Sequence, residues 1–196
     1  DIKDYDEKIK YEFCRLLIKF GLISILYNSA IHCDVHSGNV FFYINEESDL
    51  KPKYQMGYID FGIVAFPTRE NQNIYYTFFK DIQIDKNFSK LEIVVTGIVS
   101  EKELLKNLTK NKKEDLYNKI KNLIGTTDVS YDFRFFLDLS YIINSFGLSF
   151  TKEFNNICLS LQVVESLSKN LTRDPRSIQD DIILSFNKKN KLLEIE

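Results

Sequence analysis

The chain has 196 residues, 44% of them hydrophobic, and a formal net charge of −2. That is enough apolar material for one domain with a substantial core, and the balance of charge gives no global electrostatic case for nucleic acid. Three widely spaced cysteines, Cys14, Cys33 and Cys158, form no C-x-x-C pair and read as reduced thiols, not as a disulfide framework.

No apolar run approaches the roughly twenty residues of a membrane span. A start at Asp1 without a basic-then-apolar leader reads as a chain cut from something longer. Residues 5–28 carry Ile9, Phe13, Leu16, Leu17, Phe20 and Ile23 at three- and four-residue intervals with charges between them, which predicts a helix. Gly21 inside it reads as a tolerated glycine, and Asn28-Ser29 as the helix end.

Next comes the stretch that carries chemistry. Ile31-His32-Cys33-Asp34-Val35-His36-Ser37-Gly38-Asn39 runs into the apolar Val40–Ile44, and a second run leads to Asp60-Phe61-Gly62. Between them, Asn45–Lys53 is polar, charged and contains Pro52. Two β-branched and aromatic runs around a polar turn predict a hairpin. Its open end would gather Asp34, Asn39 and Asp60.

After Gly62 the apolar Ile63–Phe66 leads to Pro67-Thr68, which looks like a helix entrance. A helix over about 68–83, a segment over 88–99, another over 100–108 and a third over 112–124 follow. Ser100 and Thr151 are each followed closely by acids and read as hydroxyl caps. Residues 125–129 read as a break. Two longer helices over 131–146 and 151–170 come next, joined by Gly147–Phe150, and Asp174-Pro175 stops the second. A last helix is expected over 177–186, then a short basic, solvated tail over 187–191. The whole predicts a mainly α (α+β) single domain over 1–196: helix, short β-hairpin, then a helical bundle.

Phosphoryl transfer asks for a metal that neutralises phosphate charge and a carboxylate that orients the attacking group. The order D-x-x-x-x-N then D-F-G matches the metal- and base-bearing half of a protein-kinase active site. In that reading Asp34 is the base, Asn39 a neutral metal ligand and Asp60 the metal-to-phosphate bridge. Gly62 would let the backbone turn sharply behind Asp60. His36, two residues after Asp34, is placed to contact phosphate. A rival reading takes His32, Asp34 and His36, alternating along an extended segment, as zinc ligands, but it leaves Asn39 and D-F-G unexplained and needs a fourth group. His32 otherwise reads as a hydrogen-bonded structural histidine.

The string from Ile31 to Asn39 closely resembles the H-A-D-P-H-P-G-N signature of the UbiB-like atypical kinases, also called aarF-domain kinases, and Ile59–Gly62 is similar to their D-F-G-like motif. Gly147–Glu153, Leu161–Leu171 and Asp174-Pro175 look like that family's helical segment. The resemblance implies a protein-kinase-like C-terminal lobe, with ATP and Mg²⁺, or Mn²⁺ in its place, as cofactors. By position it makes Asp34 catalytic, makes Asn39 and Asp60 metal ligands, and leaves His36 and Gly62 beside the nucleotide. It implies ATP binding and hydrolysis, a lipid or small-molecule acceptor, and a tie to ubiquinone and isoprenoid-lipid metabolism. Members are associated with mitochondria, plastids or bacterial membranes, and the resemblance extends to peripheral membrane association as an expectation.

Val35 and Ser37 depart mildly from the family pattern, and the Asn39-to-Asp60 interval is longer than usual. Nothing before Ile31 offers a nucleotide-covering loop, a strand lysine with its glutamate, or the family's K-x-G-Q segment. Half of an ATP site is therefore expected upstream of Asp1, and residues 1–196 alone are expected to be inactive. Two alternatives remain open. An aminoglycoside- or choline-kinase-like phosphotransferase shares the D-x-x-x-x-N turn but usually has H-G-D before it and an acid where Gly62 stands. A pseudokinase would keep the lobe as a binding module.

Overall fold

In the computed structural model, which describes residues 4–26, 30–46, 53–126, 133–175, 177–178 and 182, Asp6 opens the first helix by accepting the Ile9 amide at 2.8 Å. That helix, α1, spans Glu7–Leu26. The short strands β1 (Ile31–His32), β2 (Val40–Ile44), β3 (Tyr54–Tyr58) and β4 (Val64–Ala65) follow. Helices α2 (Arg69–Tyr76), α3 (Leu91–Ile98), α4 (Lys102–Asn107), α5 (Lys110–Thr126), α6 (Phe133–Asn144) and α7 (Lys152–Leu171) complete the order. The fold is mainly α, in the expected sequence of helix, hairpin and helices. No helix among the described residues is long and apolar enough to cross a membrane.

Contacts divide the chain into two compact units. The first comprises Asp1–Ile23, Asp34–Gly62 and Val163–Glu196, and the second Ser24–Cys33 and Ile63–Gln162.

In the first unit β2 and β3 form the predicted antiparallel hairpin, with Val40 opposite Tyr58 and Ile44 opposite Tyr54. Side chains alternate across a strand, so one face of the hairpin meets α1. Phe42 stacks on Phe13 with ring centroids 4.5 Å apart, and Tyr58 stacks on Phe20 at 4.1 Å. Burial pushes the Tyr58 phenol well above its ordinary range. The C-terminal half of α7 lies against α1. There the Cys14 thiol donates to the Ser168 carbonyl at 3.8 Å, and burial raises its pKa to about 11. Gly21 marks that helix contact, because a Cβ there would stand 3.3 Å from Val164 Cγ1. It is a close approach, not simply a tolerated glycine.

In the second unit β1 and β4 pair antiparallel, Ile31 with Ala65 and His32 with Val64. A second two-residue sheet was not expected from the sequence. Thr68 caps α2 by accepting the Asn71 amide at 3.2 Å. The predicted helix over 68–83 is composite: from Thr77 to Ile84 it winds as a π-helix. Its buried side chains include Phe78 and Phe79, which meet Phe154 of α7 at centroid distances of 5.3 and 6.3 Å. Phe154, fully buried, also packs on Tyr75 and Phe150.

Thr151 caps α7 as expected, accepting the Phe154 amide at 3.2 Å. Ser100 does not cap α4. Its hydroxyl donates to the Phe150 carbonyl at 3.0 Å, and the helix starts at Lys102 with no side-chain cap. Glu101 instead accepts the Ser149 amide and hydroxyl at 2.6 and 2.7 Å, and those bonds hold its carboxyl below the usual range. Of the last predicted helix, Ser177, Ile178 and Ile182 are helical. The rest of it, the basic tail, the hairpin loop over 47–52 and most of the predicted break at 125–129 lie outside the described residues. All three cysteines are free.

Candidate active site

The segment from Asp34 to Gly62 is bounded in sequence by a backbone clasp, or neck, made by its flanking residues. The Cys33 amide donates to the Ile63 carbonyl at 2.9 Å, beside the paired β1 and β4. Past Cys33 the chain leaves strand geometry. Val35, 2% exposed, anchors a tight turn in which the Asn39 amide donates to the His36 carbonyl at 2.9 Å. Gly38 donates its amide to His36 Nδ1 at 3.1 Å, and a Cβ at Gly38 would lie 3.0 Å from His36 Cε1. The glycine is what lets the imidazole fold over its own turn. His36 Nε2 reaches to 4.0 Å from Asp34 Oδ2, a weak contact between two partly exposed groups.

Asn39 is the pivot. It is 4% exposed, and its Nδ2 donates to the Asp34 main-chain carbonyl at 3.0 Å. Its own carbonyl accepts the Ile59 amide at 3.0 Å, which adds one more rung to the open end of the β2–β3 hairpin. Asp60 therefore stands next to a residue bonded to Asn39, and Asn39 is bonded to Asp34. The structure brings the backbones of all three predicted residues to one end of the hairpin.

Asp60 takes a left-handed conformation, φ 57°. Non-glycine residues seldom do so, though Asp and Asn tolerate it better than most. Its Oδ1 accepts the Gly62 amide at 3.1 Å. The sequence reading placed the sharp turn at Gly62, but the structure places it at Asp60. Gly62 instead keeps space, since a Cβ there would lie 3.2 Å from Asp60 Oδ1.

His32 takes no part in a metal cluster. It is 4% exposed within β1, and the extended alternation needed to align it with Asp34 and His36 ends at Cys33. Among the described residues no group of three His, Cys, Asp or Glu side chains is placed to hold a metal ion. The donor set at the hairpin mouth is of another kind. With the Asn39 donor end spent on the Asp34 carbonyl, the amide oxygen remains for a cation. With one Asp60 oxygen on Gly62, the other remains too. One carboxylate and one neutral oxygen suit Mg²⁺, which keeps waters and completes its shell with phosphate oxygens.

Two residues of interest escaped the sequence reading. Phe41 and Ile59 are 54% and 50% exposed, and both follow the outward register of the hairpin, where Gly57 opposite Phe41 presents no side chain. An aromatic side chain at an outward position of a half-buried strand was the available signal. Cys33, whose amide bonds to the Ile63 carbonyl, is half-buried, and burial raises its thiol pKa, with Glu153 adding to the effect.

Residues 1–94 match the family model described as the ABC1 atypical kinase-like domain. The match takes in α1, all four strands and every predicted site residue from Asp34 to Gly62, so it covers the part of the resemblance that carries chemistry. The helical segment over 147–175, which also resembles the family, lies beyond the matched ABC1 region. No curated protein and no solved structure matched the chain.

Proposed function

We propose that the hairpin mouth is the metal- and base-bearing half of an ATP-dependent phosphoryl-transfer or ATP-hydrolysis site. One observation carries the reading. The bonds from Asn39 to the Asp34 main-chain carbonyl and from the Ile59 amide to the Asn39 carbonyl bring the backbones of Asp34, Asn39 and Asp60 to a single strand end. Asn39 and Asp60 would hold Mg²⁺, which when bound supplies charge neutralisation for the phosphates. Asp34 takes the proton of an acceptor hydroxyl or water. His36 is held over the turn by Gly38 with its Nε2 directed toward Asp34, where it can meet a phosphate oxygen. The outward face formed by Phe41 and Ile59 is continuous with Asn39 along the hairpin and offers a flat apolar floor for a purine. A lipid or small-molecule acceptor and a link to ubiquinone or isoprenoid-lipid metabolism enter the proposal through the family alone.

Calorimetric titration of ATP with and without Mg²⁺ tests it. Binding is expected to depend on Mg²⁺ and to weaken in Asp60→Asn by about tenfold or more, about 1.4 kcal/mol. Asn suits the left-handed conformation, so the variant removes charge without reshaping the turn. Equal affinity in both proteins would overturn the reading, and binding without turnover in the full-length protein would favour a pseudokinase.

A further inference from the structure

We infer that Ser160 of α7 is a positioning residue for the site, acting through the β1–β4 neck that closes the segment from Asp34 to Gly62. The residue is 7% exposed, and its hydroxyl donates to the main-chain carbonyl of His32 at 2.9 Å, 128 residues away in sequence. Another buried serine of the same helix behaves differently. Ser168, 0% exposed, donates to Val164 within α7 itself at 2.7 Å. Ser160 spends its donor on another element, and that element ends one residue before Asp34's neighbour, Cys33.

Two turns earlier on the same helix face, Glu153 accepts the Tyr75 hydroxyl at 2.5 Å and the Asn71 amide at 3.1 Å. Tyr75 and Asn71 belong to α2, the helix that follows β4. One helix therefore grips both the strand that enters the site segment and the helix that leaves it. The same neck carries the backbone bond from the Cys33 amide to the Ile63 carbonyl, next to the paired β1 and β4. Asp34 is the next residue after one end of that bond, and Asp60 is three residues before the other.

Metal affinity depends on the spacing of Asn39 and Asp60, so a neck that opens more often raises the Mg²⁺ concentration needed for nucleotide binding. Removing the hydroxyl takes away the bond that ties β1 to α7, which favours local opening. This second consequence rests on the phosphoryl-transfer reading. The opening of the neck does not.

The test compares Ser160→Ala, Ser168→Ala and wild type in two assays. In the first, alkylation of Cys33 by iodoacetamide is followed site by site with mass spectrometry. Ser160→Ala is expected to raise the Cys33 rate by about tenfold, the factor for 1.4 kcal/mol of easier opening, while Ser168→Ala leaves it at the wild-type value. In the second, the Mg²⁺ concentration for half-maximal ATP binding rises in Ser160→Ala only. An unchanged Cys33 rate in Ser160→Ala, or the same rise in both variants, overturns the inference. So does a raised rate with an unchanged Mg²⁺ requirement. Should wild type bind no Mg²⁺-ATP, the phosphoryl-transfer reading falls by that result, and the Cys33 rate decides whether Ser160 holds the neck.

Discussion

Asp34→Asn lowers ATP turnover in the full-length protein by about 10²- to 10⁴-fold, the range for loss of a general base, and leaves Mg²⁺-ATP binding intact. The division follows from how the turn is built. Asn39 is held by the main-chain carbonyl of Asp34, not by its carboxylate. Replacing the carboxylate with an amide of the same shape therefore spares the bond that orders Asn39. On the proposed phosphoryl-transfer reading, what is lost is the group that takes a proton from the attacking hydroxyl or water. Steady-state turnover paired with calorimetric ATP binding checks this. Turnover at the wild-type level would assign the base elsewhere, and loss of binding with turnover would make Asp34 a metal ligand.

Phe154→Ala costs about 3–5 kcal/mol of stability, the usual range for emptying a large aromatic from a packed core. Phe154 is fully buried among Tyr75, Phe78, Phe79 and Phe150, so four rings lose their common neighbour. These rings come from α2, the π-helical turn and the approach to α7, which cannot all close on an alanine without moving helices. Urea unfolding read by circular dichroism measures the loss as a fall in midpoint at constant slope. A cost below about 1 kcal/mol, the size of a surface change, would show that the cluster is not the core of the second unit.

Much of the hairpin that carries the candidate site was legible because it is local. Val40–Ile44 and Tyr54–Tyr58 announce a hairpin by their aromatic and β-branched content, and the hairpin sets the backbones of Asn39 and Asp60 at its open end. The helices after Thr68 were legible from periodicity and from hydroxyl caps such as Thr151. What escaped has a common cause: it is decided by residues far away in sequence. Ile31-His32 and Val64-Ala65 are too short for any period to show, and they pair because the chain between them returns to its origin. The π-helical stretch keeps apolar residues close to α-helical spacing, so only the packing of Phe78 and Phe79 reveals the wider turn. Ser100 offered a local cap, but the Phe150 carbonyl, fifty residues on, claimed its hydroxyl. Asp60 hid its left-handed backbone behind Gly62, the residue that composition favours for it.

On the proposed function, Asn39 and Asp60 present oxygens to one divalent cation. A Mn²⁺ titration of the isotope-labelled protein, read by paramagnetic broadening of backbone amide signals, tests it without requiring turnover. The amides of Asn39, Ile59 and Asp60 are expected to broaden first, and Asp60→Asn to remove this selectivity. Broadening that begins instead at exposed acids remote in sequence, such as Glu114 and Asp115 of α5, would contradict it.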